Sequence, residues 1–298
     1  MAEVGLVRFA LVCRTVAETV LPPYRSKFSK HLFTQPQLLT VLCLMRYEDW
    51  TFREAEVRLA EHRALRQALR LTQVPDHTTL YRFLRRLDEA MIQRVLTAVA
   101  RRVPHPSARH ARGTLLAVDA TGLTPGAIST FFVKRLRDQG GTWRRWLKWL
   151  IAIDVPRRLV VAQHARQGPV NDSATLRPLV QVASTVTPIR AVLADAEFDS
   201  EQNHRFIRQT LRARSAIPAK RGKRTWRIHG IRAQMRRRFP TQLYRQRALV
   251  ETVFSVVKRK LSARAPGRSP LTQRLQALVL GLAYDVYRLR RLRHLIAV

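Results

Sequence analysis

Two kinds of hydrophobic spacing divide the chain. Up to about residue 102, apolar positions recur every three or four residues, the period of amphipathic helices. Pro36 opens a segment whose Leu38, Leu39, Leu42 and Met45 share one face. Thr51 is placed to cap a second helix containing Ala55, Val57, Leu59 and Ala60, with Glu54 completing a capping box. Asp76 is the N-cap of a third, where Leu80, Phe83, Leu84 and Leu87 form an i, i+3, i+4, i+7 stripe. From residue 114 the pattern changes to short apolar runs. Residues 114–119 read as a buried strand closing on Asp119, and residues 150–155 and 158–163 as a hairpin about Pro156 and Arg157. A helix follows over 173–183, with Asp172 near its start. Residues 189–195 are another apolar run, closing on Asp195. Residues 201–211 read as helix and 216–218 as a brief strand. Long helices are predicted over 243–261 and from Gln273 to about Leu295.

This order predicts an α/β fold: a mixed sheet flanked by helices, antiparallel strands first and parallel additions after, preceded by an all-helical N-terminal region. The segment from Val103 to Gly113 is rich in turn formers and marks a boundary. We therefore expect a helical domain over 1–105 and an α/β domain over 106–298.

Charge narrows the partner. Lys and Arg number 55 against 20 Asp and Glu, a net charge of +35 in 298 residues. Such a surface repels itself unless a polyanion neutralises it, and nucleic acid is the obvious one. An Arg-rich proteome would explain Arg over Lys but not the shortage of acids. Arg82, Arg85 and Arg86 lie off the apolar stripe of the third helix, which reads either as a helix entering a DNA groove or as a core helix with a solvated basic face. Between Arg212 and Arg238 the chain is densely basic, including Lys220, Arg221, Lys223, Arg224, Arg227 and Arg232, and suits a DNA-backbone track. Trp226 inside it reads first as packing and second as a stacking platform for an unpaired base. A second basic aromatic cluster, Lys134 to Arg137 and Trp143 to Trp149, suits DNA contact too, with Trp146 and Trp149 also readable as core. The two cysteines, Cys13 and Cys43, read as buried thiols, with no zinc spacing and no disulfide framework. The N-terminus does not read as a signal peptide, and the late apolar stretch 275–287 is too short to span a bilayer. No membrane partner is expected, and the reading is cytoplasmic.

In so acid-poor a chain, acids that close apolar runs stand out. If their strands are parallel neighbours, Asp119 and Asp195 emerge at one edge of the sheet, where α/β sheets bind ligands. Two close carboxylates repel unless protonated or bridged by a cation, and hard oxygen donors suit Mg²⁺ or Mn²⁺. A third acid, Glu251, stands on a predicted helix with Tyr244 at −7, Arg247 at −4 and Lys258 at +7. On a continuous helix these positions share one face. Alone, that stripe reads as Glu251 paired to Arg247.

The spacing Tyr-x2-Arg-x3-Glu-x6-Lys resembles the signature of bacterial insertion-sequence transposases of the DDE class. The segments Leu116 to Gly122 and Val192 to Ser200 resemble that family's first and second acidic segments, and Phe33 to Leu87 is similar to its N-terminal helical region. Glu197 and Phe198 stand where the family often has Gly and Tyr, and Asp285 where it often has Asn. Glu197 would add negative charge beside the site. Asp199 competes with Asp195 and reads as an N-cap. The resemblance implies a ribonuclease-H-like fold, with Asp119, Asp195 and Glu251 holding two divalent ions. It implies Arg247, Lys258 and Tyr244 on DNA phosphates, with Tyr244 also readable as half-buried packing. It further implies double-stranded transposon ends and target DNA as partners, a homo-oligomer on paired ends, and cutting followed by joining of the 3′-hydroxyl ends. A nuclease without strand transfer would carry the same site, and an inactive DNA-binding relative would share the charge.

Overall fold

The computed structural model describes residues 5–28, 32–104, 113–126, 134–135, 138–139, 146–168, 172–220 and 229–291. Most of the boundary segment, Arg137, Trp143, Arg144, Arg145, Arg221, Lys223, Arg224, Trp226 and Arg227, and residues 292–298, over which the last predicted helix ends, lie outside the described residues.

Helices α1 (Leu6–Glu18), α2 (Gln35–Tyr47), α3 (Phe52–Glu61), α4 (Arg63–Leu69), α5 (His77–Arg86) and α6 (Glu89–Arg102) come first. Their caps are those the residues dictate. Thr51 accepts from Glu54's amide while Glu54's carboxylate accepts from Thr51's amide, and Asp76 accepts from the amides of Thr78 and Thr79. Leu80 and Leu84 of α5 are buried, and Phe83 packs against them.

The sheet contains β1 (Thr114–Leu123), β2 (Leu147–Asp154), β3 (Leu159–Gln167), β4 (Ile189–Ala194) and β5 (Arg214–Ala216), in the order β3-β2-β1-β4-β5. The first three are antiparallel neighbours; β4 lies parallel to β1 and β5 parallel to β4. This mixed sheet is flanked by α7 (Ser173–Val186), α8 (Glu201–Arg205), α9 (Gly230–Arg237), α10 (Thr241–Tyr244), α11 (Ala248–Lys260) and α12 (Pro270–Arg291), an α/β arrangement with a helical N-terminal region as expected. Gly113 leads into β1 at φ 92°, where an added Cβ would meet the Pro188 carbonyl at 2.8 Å. Only glycine tolerates both demands, and the close approach brings β1 beside the start of β4.

The outer edge of β3 is closed by side chains rather than by another strand. Pairing of β2 with β3 shifts by one residue between Ala152 and Ile153. Beside that bulge, the Val161 carbonyl accepts from Gln93 of α6 at 2.9 Å, and the Val160 amide donates to Asp285 Oδ1 of α12 at 2.9 Å. Asp285 is wholly buried, and its Oδ2 has no hydrogen-bond partner. Burial pushes its carboxyl well above the ordinary range, despite Arg288 and Arg157, with Asp154 adding to the rise. A raised folded-state pKa means the folded protein holds a proton that the unfolded chain releases. Stability is then full at acidic pH and declines as pH rises above the ordinary carboxylate value. Asp285→Asn, which keeps the acceptor and removes the charge, should raise the melting temperature at pH 8 and leave it unchanged near pH 4. The expected gain at pH 8 is at least about 1 kcal/mol, the equivalent of a single pKa unit. Equal shifts at both pH values would contradict the ionisation account.

A second tie joins the helical region to the segment after α11. Asp49, at φ 56°, accepts from Ser262 Oγ at 2.8 Å and Arg264 Nε at 2.9 Å, with Arg46 Nη1 at 3.5 Å. Thr124, just past β1, bridges Arg264 through its backbone. The α2–α3 turn is thereby linked to both β1 and the end of α11.

Candidate active site

Parallel register places two acids side by side. Val118 pairs with Ala194, so Asp119 and Asp195 each come one residue later on neighbouring strands, Asp195 at the carboxyl end of β4 and Asp119 just past the parallel pairing but inside β1, which runs on to Leu123 rather than closing on Asp119. Asp119 remains in the ladder, opposite Ile151 of β2, with its side chain 15% exposed. Its Oδ1 accepts from the Ala120 amide at 2.8 Å. Asp195 ends the strand and caps the next turn, its Oδ1 accepting from the Glu197 amide at 2.8 Å.

The third acid reaches this edge from α11. Val250, Val253, Phe254 and Val257 form the buried stripe of that helix, with Phe254 edge-on to the buried Trp149 at 5.8 Å. Glu251 and Lys258, seven residues apart, therefore stand on its exposed side. Arg247 joins the groups: its Nη1 donates to Asp119 Oδ2 at 2.8 Å and its Nη2 to Glu251 Oε1 at 2.7 Å. The Tyr244 ring lies 5.8 Å from that guanidinium and edge-on to Phe239 at 4.9 Å.

Electrostatics follow from these neighbours. Burial raises the Asp119 carboxyl above its ordinary value and Asp195 raises it further, against the Ala120 amide and Arg247. Burial works against the charge of Arg247, but Asp119, Tyr244 and Glu251 overcome it and hold the guanidinium above its usual pKa. Burial also raises the Tyr244 phenol.

The donors are all hard oxygens and already bracket a cation, the Arg247 guanidinium, so their chemistry fits Mg²⁺ or Mn²⁺. Among the described residues, however, no three acids, histidines or cysteines are gathered at metal-holding spacing. Two of the acids, Asp119 and Glu251, share Arg247, while Asp195 caps the turn at Glu197.

Several expectations are corrected. Residues 243–261 are not one helix: α10, a 3₁₀ turn at Arg245–Arg247 and α11 succeed each other. Such turns are common at helix N-termini, and no Pro or Gly marks this one. Asp199 is not an N-cap, since Ser200 caps α8 through the Asn203 amide. Its side chain is fully buried and accepts from Arg232 Nη2 at 2.7 Å and from the Lys220 amide at 2.8 Å, with His204 Nε2 at 3.4 Å. Burial opposes its ionisation, but these partners hold the carboxyl down to about 2. Arg232 is thus committed to Asp199 and drops out of the basic track. Glu197 does not stand as uncompensated charge, because Lys148 Nζ lies 3.7 Å away and also contacts the buried Asp172. The ring of Trp146 fills the slot beside Gly168, where a Cβ would meet it at 2.4–2.6 Å, and Trp149 is core.

Other sequence candidates stand apart from the acids. Arg82, Arg85 and Arg86 are exposed on α5, with Arg85 over the Tyr81 ring at 6.0 Å. The side chain of Lys220 is exposed. A cavity of about 650 Å³ between α1, α6 and α7, lined by Arg94, Arg101 and Thr185, includes none of the three acids.

A mixed sheet carrying neighbouring acids on two parallel strands, with a helix-borne third, defines an α/β class with a carboxylate site. The chain belongs to the family described as transposase DDE domain, whose model matches residues 110–286. No curated protein matches it. Among solved structures, it is similar to a piggyBac transposase synaptic complex with hairpin DNA, studied by cryo-EM, at a TM-score of 0.45 and 12% identity over 97% of this chain and 78% of that chain. No helix among the described residues is long and apolar enough to cross a membrane.

Proposed function

We propose that the protein is a DNA transposase that cuts at the ends of an insertion sequence and joins the 3′-hydroxyl ends to target DNA. The observation that carries the reading is Asp119 beside Asp195 on parallel neighbouring strands, one residue past their last pair, with Glu251 tied to Asp119 through Arg247. In this reading Asp119, Asp195 and Glu251 hold two Mg²⁺ or Mn²⁺ ions. When bound, such ions activate a water or 3′-hydroxyl and stabilise the leaving oxygen of an in-line displacement. The chain's own residues hold and orient. Arg247 and the exposed Lys258 grip phosphates beside the acids, and Tyr244, backed by Phe239, orients Arg247 or bonds a phosphate. No side chain acts as nucleophile, so no covalent protein–DNA intermediate forms. Arg82, Arg85 and Arg86 of α5 contact the transposon end, Lys220, Arg221, Lys223 and Arg224 serve a DNA-backbone track, and Trp226 stacks on an unpaired base. The working form is a homo-oligomer on paired double-stranded ends, acting in the cytoplasm.

The test is incubation of labelled DNA carrying the element's own ends with Mg²⁺ or Mn²⁺, comparing wild type with Glu251→Ala. Nicked and joined products from wild type, with binding but no cutting by the variant, are expected. Cutting without joining would make the protein a nuclease. Binding without cutting by either would make it a binding protein only.

A further inference from the structure

The group that links the acids is a cation in the place where the proposed function needs another cation. Arg247 turns one prong of its planar fork to Asp119 and the other to Glu251, at 2.8 and 2.7 Å. Divalent ions bound by the same oxygens would stand against its positive charge, and like charges in close quarters oppose each other. A phosphate drawing on the same guanidinium would compete with the two carboxylates for its charge. The two ends of the bridge also differ. Asp119 is fixed in β1 and bonded to the Ala120 amide, whereas the Glu251 side chain is 58% exposed on the surface of α11.

We propose that Arg247 is a switch that couples metal loading to DNA: without DNA it holds Asp119 and Glu251 as their counterion, and a phosphodiester of bound DNA draws it away, releasing both carboxylates to the ions. This rests on the metal-site reading above. It explains why Asp119 and Glu251 share one guanidinium. It also makes the coupling reciprocal, since metal must strengthen DNA binding by the factor that DNA strengthens metal binding.

The experiment is Mn²⁺ titration of the full-length protein, followed by electron paramagnetic resonance, with and without a short DNA duplex. Arg247→Gln should bind Mn²⁺ about tenfold more tightly than wild type without DNA, and gain less from added duplex. Arg247→Lys, which keeps the charge but cannot span both carboxylates, should fall between them and serves if the glutamine variant does not fold. Arg247 variants binding Mn²⁺ no more tightly than wild type would overturn the switch. Asp119→Asn separates the two ideas: lost Mn²⁺ binding there, with Arg247 variants unchanged, rejects the switch and keeps the metal site. Unaltered Mn²⁺ binding by Asp119→Asn rejects the metal site and the switch with it.

Discussion

Asp195→Asn should lower metal-dependent DNA cleavage on the order of a thousandfold, a loss of about 4 kcal/mol in transition-state stabilisation. The variant should fold as wild type does. The hydrogen bond that Asp195 accepts from the Glu197 amide is equally available to an asparagine oxygen. Asp195 is also a cleaner probe than Asp119, whose loss would break the Arg247 bridge as well. Affinity for DNA measured without divalent metal, set mainly by phosphate contacts to the many Arg and Lys residues, should change by no more than about twofold. Single-turnover cleavage, a gel-shift titration and a melting curve on the same preparation would measure all three. Cleavage within about tenfold of wild type would remove Asp195 from the metal-binding set, since a group holding a catalytic ion contributes several kcal/mol.

The positions of Asp119 and Asp195 were readable because an acid closing an apolar run is conspicuous in a chain with 20 acids and 55 basic residues. The strands, the hairpin and the caps at Thr51 and Asp76 were readable for a related reason, that each is written in adjacent residues. What the sequence could not show is pairing across long separations. Nothing local says that β4 lies parallel to β1, and that register is what makes two separate acids neighbours. Arg247 could be paired with Glu251 from helical spacing, but its bond to Asp119 spans 128 positions. The 3₁₀ turn at Arg245–Arg247 was hidden because every residue from Leu243 to Ala248 is compatible with a helix. Asp199 was misread for the converse reason: a short acid before Ser200 and Glu201 looks like a cap, and only burial against Arg232 and His204 shows otherwise. Acid scarcity was a signal there too, for Asp49, Asp172, Asp199 and Asp285 all prove to be buried or tied rather than spare.

That scarcity leads to the second large effect, at Asp199. Asp199→Ala should destabilise the fold by about 3 kcal/mol, the usual result of removing one partner from a buried ion pair. The carboxylate is fully buried and is held by Arg232, by the Lys220 amide and beside His204. Its removal strands the Arg232 guanidinium and leaves the Lys220 amide without its acceptor. Arg232 sits on α9, whose N-terminal amides at Ile231 and Arg232 are in turn capped by Glu201, so the loss loosens the docking of α9 on α8. Urea denaturation should show a lower midpoint at an unchanged slope. Any fall in cleavage should follow the unfolded fraction, the opposite of Asp195→Asn, where activity is lost at full stability. If Asp199→Ala instead keeps its midpoint and loses cleavage completely, Asp199 rather than Asp195 is the second acid of the site. The buried ion pair would then have to open before the protein could act.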